Sequence, residues 1–204
     1  MQAPDQIDDD ENWGGGHYEL ALELGPRDDS RLDQAYKAMI ELTGFDGSWA
    51  LTSLEPRRYE PIPTSYESLI SFPLVRGHLY LPSGRRVVCG LNVVREEAEP
   101  PFYAPDWLVL NIPLGALTKV QARVGGYPFG ETIASLEWRR PLDDWLADIG
   151  RQIFRRVKFR LGLVGMEVSG DASSDRLESG IPADRPFGYL WPTDGELDYF
   201  PPTA

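Results

Sequence analysis

PLDDWLADIGRQIFRRVKFRLGLVGMEV, residues 141–168, is the stretch on which the reading of this chain turns. Four arginines and a lysine lie between Arg151 and Arg160, in a protein of net charge −12. Either they form a patch for phosphate, or they belong to a helix that carries them for its own sake. Leu142, Trp145, Leu146, Ile149, Ile153 and Val157 recur at steps of three and four and trace one apolar stripe. Asp143, Asp144 and Asp148 come early and Arg151, Arg155, Arg156 and Lys158 late, which matches the helix dipole at both ends. Pro141 suits a first helical turn. The stretch predicts an amphipathic helix over 141–157. A core strand, FRLGLVGMEV, follows, with Gly162 and Gly165 marking close packing or a bulge. Nucleic-acid sites concentrate bases with little acid nearby, so three aspartates on the same helix argue against one.

Upstream, HYELALEL alternates, with Tyr18, Leu20, Leu22 and Leu24 on one face of a strand. Ser30 is the expected helix cap, with Asp33 completing a weak capping box. Leu32, Ala35, Tyr36, Met39 and Thr43 then follow helical spacing, and Gly44 stops the helix. GSWALTSL (47–54) reads as the next strand. Residues 55–73 hold four prolines and read as an irregular excursion with one short helical turn at SYESLI. GHLYL and RVVCGLNVV form a hairpin about Pro-Ser-Gly, and DWLVLNI is an apolar run suited to a strand buried on both faces. Glycines at 115, 125, 126 and 130 suggest a long ordered loop from Pro113 to Trp138.

The order β-α-β-β-β-β-α-β predicts an α+β fold: a single mixed or largely antiparallel sheet with two main helices on one face. It resembles an elaborated ferredoxin-like arrangement. Residues 1–16 read as an acidic mobile leader, 17–170 as a single α+β domain, and 171–204 as an acidic arm. The arm's Phe187, Tyr189, Leu190, Trp191, Tyr199 and Phe200 should pack it back on the domain. Residues 1–30 hold nine acids and one base, and residues 171–204 seven acids and two bases, which leaves 31–170 at +1. The acidity belongs to the ends.

Composition bounds the function. The 204 residues, 42% of them hydrophobic, suit one domain with a sizeable core. The single cysteine, Cys89, rules out an internal disulfide, and neither a signal-peptide pattern nor a bilayer-length apolar run is present. The expected location is cytoplasmic, with no membrane association. No metal or cofactor is expected: His17 and His78 lack ligand spacing, and phosphate-binding and dinucleotide glycine motifs are missing. Cys89 reads as a buried small hydrophobe rather than a nucleophile.

What remains favours a non-enzymatic acidic protein-binding module, in concrete form an immunity-type inhibitor of a bacterial toxin or nuclease with a basic surface. The candidate binding residues are the leader acids Asp8, Asp9, Asp10 and Glu11, the acidic run Glu96, Glu97 and Glu99, and the loop aromatics Tyr127, Phe129 and Trp138. Those aromatics equally suit anchors of the loop to the core. The alternatives are a hydrolase-like enzyme built on Glu167, His78 and the 113–138 loop, or a small-ligand pocket beneath that loop. Glu167 has apolar neighbours that suggest a raised pKa, although a solvent-facing position at alternate spacing explains it as well.

Overall fold

A computed structural model describes residues 5–95, 104–121, 123–124, 133–177 and 180–203. In chain order it contains α1 (Asp5–Asp8), a 3-10 turn (Asp10–Trp13), β1 (His17–Gly25), α2 (Asp29–Thr43), β2 (Asp46–Leu54), β3 (Arg57–Pro61) and α3 (Tyr66–Ser71). There follow β4 (Val75–Tyr80), β5 (Arg86–Val94), β6 (Asp106–Pro113), α4 (Leu114–Val120), α5 (Ile133–Arg156), β7 (Leu161–Met166), β8 (Gly188–Thr193) and β9 (Glu196–Phe200). The nine strands form one sheet in the order β3-β2-β4-β5-β6-β1-β7-β8-β9, and every neighbouring pair is antiparallel.

Within that sheet, β5-β6-β1-β7 have the ferredoxin-like order. The connection from β6 to β7 crosses β1 through α5, and β1 leaves through α2. The elaboration lies at the edges. The hairpin β2–β3 together with β4 widens one side, and β8–β9 the other. The sheet is wholly antiparallel between neighbours, so the mixed alternative is not used.

Tyr18, Leu20, Leu22 and Leu24 share the main core with Leu32, Ala35, Tyr36 and Met39 of α2 and Leu146, Ile149 and Ile153 of α5. Both main helices therefore cover one face. Their ends are clamped where Arg156 forks onto the Glu41 carboxylate, with N···O distances of 2.6 and 2.9 Å. Cys89 is fully buried, and burial pushes its thiol well above the usual value. Gly162 and Gly165 do mark close packing. A Cβ on either would come within 3 Å of the Leu190 or Phe187 side chain.

Several boundaries differ from the sequence reading. Helix α2 is capped by Asp28, whose carboxylate accepts the Arg31 N–H at 3.0 Å, and Ser30 instead accepts from Gln34 within the helix. Helix α5 begins at Ile133, which places Pro141 inside it. The tertiary anchor Trp138, buried beside Tyr18, lies in the turns upstream of that proline. Much of the expected 113–138 loop is thus helix, in α4 and the start of α5.

The ends of the chain also belong to the fold. Residues 5–13, expected as a mobile leader, carry the fully buried Ile7. The Ile7 carbonyl accepts from Arg76 Nη1 at 2.8 Å and from Trp13 Nε1 at 3.1 Å. The Arg76 guanidinium lies 3.8 Å from the Trp13 ring centre and 4.4 Å from that of Tyr59. An apolar anchor and a stacked cation seat the segment. The C-terminal arm supplies β8 and β9 and, with Val168 just before it, lays Ala172 and Leu177 over the second face of the sheet.

Candidate functional site

In an antiparallel pair, directly opposed residues point to the same side. The register therefore places Trp107, Val109 and Asn111 of β6, Glu19, Ala21 and Glu23 of β1, Leu161 and Leu163 of β7, and Tyr189 and Trp191 of β8 on the second face. Alternation in HYELALEL marks Glu19 and Glu23 as the polar side of a strand, which ordinarily meets water. Here the arm covers them. Glu19 accepts the Ser169 N–H at 2.9 Å, and Glu23 accepts the Ser174 N–H at 2.7 Å and its hydroxyl at 2.6 Å. Burial raises the Glu19 pKa, and the Ser169 hydrogen bonds partly oppose it. The two carboxylates fix residues 169–174 over the sheet.

Beside this loop lies a cavity of about 410 Å³ walled by Trp107, Val94, Pro105 and Ala172, with Ser173 and Arg176 as polar groups. Farther along the same face is the β8–β9 hairpin, turned at Asp194-Gly195 with φ of 51° and 88°. Half-buried Trp191 and Phe200 share this face with Glu196 and Asp198, both exposed and, among the described residues, in no ion pair.

A second buried polar group lies under α5. Asp143 is 2% exposed and accepts a short hydrogen bond from the Tyr18 hydroxyl. Burial pushes its pKa up to about 7. The Tyr18 hydrogen bond and the charges of Arg139 and Arg140 work against that rise, and Asp144 works with it. Tyr199 of β9 has a buried hydroxyl without a hydrogen-bond partner among the described residues, and its pKa is raised by burial and by Asp143. This cluster ties helix, central strand and C-terminal hairpin together.

No family model, curated protein or solved structure matches the chain.

The residues singled out in the sequence fall in different places. Asp9 and Glu11 face Lys119 at 3.0 and 3.8 Å, and Asp8 and Asp10 pair with Arg57. The Lys119 hydrogen bond lowers the Asp9 pKa. These acids are engaged within the fold, contrary to the expectation of a free acidic arm. Trp138 is buried with its ring 6.0 Å from that of Tyr18, so it anchors the core and presents no recognition surface. Tyr127, Phe129, Glu96, Glu97 and Glu99 lie outside the described residues. Glu167 is exposed at the end of β7 with φ of 47°, its N–H donating to the His17 carbonyl. His78 is buried on β4, its Nε2 without a partner among the described residues, and burial lowers its pKa. Four strand spacings, about 19 Å, separate β4 from β7. Glu167 and His78 are not brought together.

The basic cluster of the opening stretch is largely paired. Arg151 meets Asp148 at 2.7 Å, Arg156 meets Glu41, Arg160 meets Asp175 of the arm, and Lys158 donates to the Gly195 carbonyl at 3.1 Å. Internal pairing, rather than phosphate binding, accounts for these bases.

Sequence reasoning missed Glu19, Glu23, Asp143 and the C-terminal hairpin. A signal for the hairpin was present. Asp-Gly flanked by apolar, β-prone runs, as in GYLWPTDGELDYF, is the strongest short-range mark of one.

Proposed function

We propose that this chain is a non-enzymatic acidic protein-binding module, in concrete form an immunity-type inhibitor of a basic toxin or nuclease. The observation that carries this reading is the C-terminal hairpin, where Glu196 and Asp198, two carboxylates without an ion pair among the described residues, share a face with half-buried Trp191 and Phe200. Aromatic anchors beside charges form the usual chemistry of a recognition patch. The aromatics supply buried contact, and the charges steer approach. With the leader acids engaged by Arg57 and Lys119, the hairpin is where free negative charge meets apolar surface. An enzyme built on Glu167 and His78 has less support, because those groups lie too far apart to act on one substrate atom.

The test is kinetic. A partner captured with the full chain from its native cell should associate more slowly as salt rises, since exposed charges are screened over about 8–10 Å at physiological ionic strength. Replacing Glu196 and Asp198 by glutamine and asparagine should reproduce that slowing, with a smaller effect on dissociation. An on-rate indifferent to salt, or turnover by the purified chain alone, would overturn the reading.

The cavity beside Trp107 favours a second reading, a small-ligand site, since about 410 Å³ lies in the range of ligand pockets. Its Trp107 wall and Arg176 suit a flat, apolar anion. The probe is anilinonaphthalene sulfonate: saturable binding that Ala172→Trp abolishes would support this reading, and its absence would remove it.

A further inference from the structure

From the main-chain geometry of the last strand we infer a binding mode: β9 is an acceptor edge for an extended basic segment of a partner protein, which adds to the sheet as a tenth strand. The inference rests on the protein-binding reading above and names the partner's chemistry. Strand β9 ends the sheet order, with β8 on one side and no described strand on the other. Pro192 has no N–H and stands opposite Leu197, so that pair is the non-hydrogen-bonded kind. Glu196, Asp198 and Phe200 must then be the residues that exchange hydrogen bonds with β8. Leu197 and Tyr199 turn their N–H and C=O groups outward. Both ends of this open run are closed off. The Gly195 carbonyl is taken by Lys158 at 3.1 Å, and Pro201 lacks an N–H and gives its carbonyl to Arg185 at 2.9 Å. Among the described residues, what remains open is a short site of four main-chain groups.

The side chains beside it define the occupant. Glu196 and Asp198 flank the edge on the second face, with the half-buried Trp191 opposite Asp198 in register. Lysine or arginine at alternate positions of an added strand would meet a carboxylate while its aliphatic stem lay along the indole. On the first face, Leu197 and Phe154 line a shallow groove of about 230 Å³ together with Arg151, Arg155, Lys158 and Glu196, so the residues that alternate with the partner's bases should be small and uncharged, as threonine and valine are.

A second copy of this chain is a poor occupant. Antiparallel self-pairing centred on Asp198 opposes Asp198 to Asp198, and a shift that opposes Leu197 to itself sets Glu196 against Asp198. Directly opposed like charges destabilise a strand pair. The charges that keep copies apart, as edge strands commonly do, select a basic strand.

The experiment uses the full chain and two blocked peptides, acetyl-KTKVKTK-amide and acetyl-ETEVETE-amide, with amide hydrogen exchange read by NMR. The lysine peptide should bind saturably at one site and slow exchange at Leu197 and Tyr199, and the glutamate peptide should do neither. Reversing both charges, E196K with D198K, should weaken binding about tenfold or more. Leu197→Pro removes one outward N–H and leaves the bonds to β8 intact, so it should also weaken binding in a protein of unchanged fold. Binding without protection of those two amides would overturn strand addition and leave the acidic protein-binding surface standing. No binding of the lysine peptide, equal binding of both, or self-association that protects the same amides would overturn the assignment of a basic strand. The salt dependence of the captured partner's on-rate tests the broader reading separately.

Discussion

Asp143 is acidic by type and sits in the first half of α5, where sequence alone assigns it to the dipole. In the fold it is enclosed against Tyr18, and its pKa rises to about 7 from an ordinary value near 4. Below pH 4 the carboxyl is protonated in both folded and unfolded chains and contributes nothing to pH dependence. Between about pH 4 and 7 the unfolded chain loses the proton while the folded chain keeps it, so stability falls as pH rises, and above 7 the deficit is constant. Over about three pKa units this amounts to about 4 kcal/mol. Asp143→Asn should remove that slope, so denaturant unfolding from pH 4 to 8 should show the variant gaining on the parent as pH increases. Ile149, 2% exposed on the same helix, tests the stripe. Ile149→Ala should cost about 2–5 kcal/mol in chemical unfolding, since cavity formation adds to lost transfer energy.

At the scale of elements, both ends of the chain are held against the domain, the leader contrary to what its polar composition suggests. The arm is a structural cover, held by the hydrogen bonds from Ser169 and Ser174 to two buried carboxylates. Glu23 is fully buried, so Glu23→Ala orphans the Ser174 N–H, a loss of about 1–3 kcal/mol. Limited proteolysis should then cut the arm between residues 171 and 187 faster than in the parent. Truncation after Gly170 removes β8, β9 and the cover of the second face. It should lower the melting temperature and expose surface that binds a hydrophobic dye. The leader is pinned by Ile7, and Ile7→Ala should free it at a cost of about 2–5 kcal/mol. Unchanged stability in either variant would return that segment to the status of a tail.

Across the whole molecule, a net charge of −12 says little until the pairs are known. Four of the leader's five acids, Asp8, Asp9, Asp10 and Glu11, meet Arg57 and Lys119, while the hairpin's Glu196 and Asp198 meet no described cation. Neutralising the four leader acids should therefore change leader docking more than partner association. Neutralising the two hairpin acids should do the reverse. Stopped-flow association with the captured partner, beside thermal melts of both variants, separates the two effects.

Periodicity by itself determined the central order of elements: β1, α2, the β4–β5 hairpin, β6, the basic helix and β7. Each of these carries a local apolar pattern that matches one backbone period. The dipole-matched charges of α5 were legible for the same reason, because acids and bases of one helix are ordered along a line. The candidate site was not legible. Glu19 and Glu23 look like the wet side of a strand, and Asp143 like a dipole acid, because burial depends on which distant segment lies across them. Only tertiary structure laid residues 168–177 over one face and Tyr18 against Asp143. It likewise gave the leader acids partners 47 or more residues away, as in Asp10 with Arg57 and Asp9 with Lys119. Local sequence sets backbone period and charge order. Long-range packing decides which polar groups lose water, and with it which charges stay free to meet a partner.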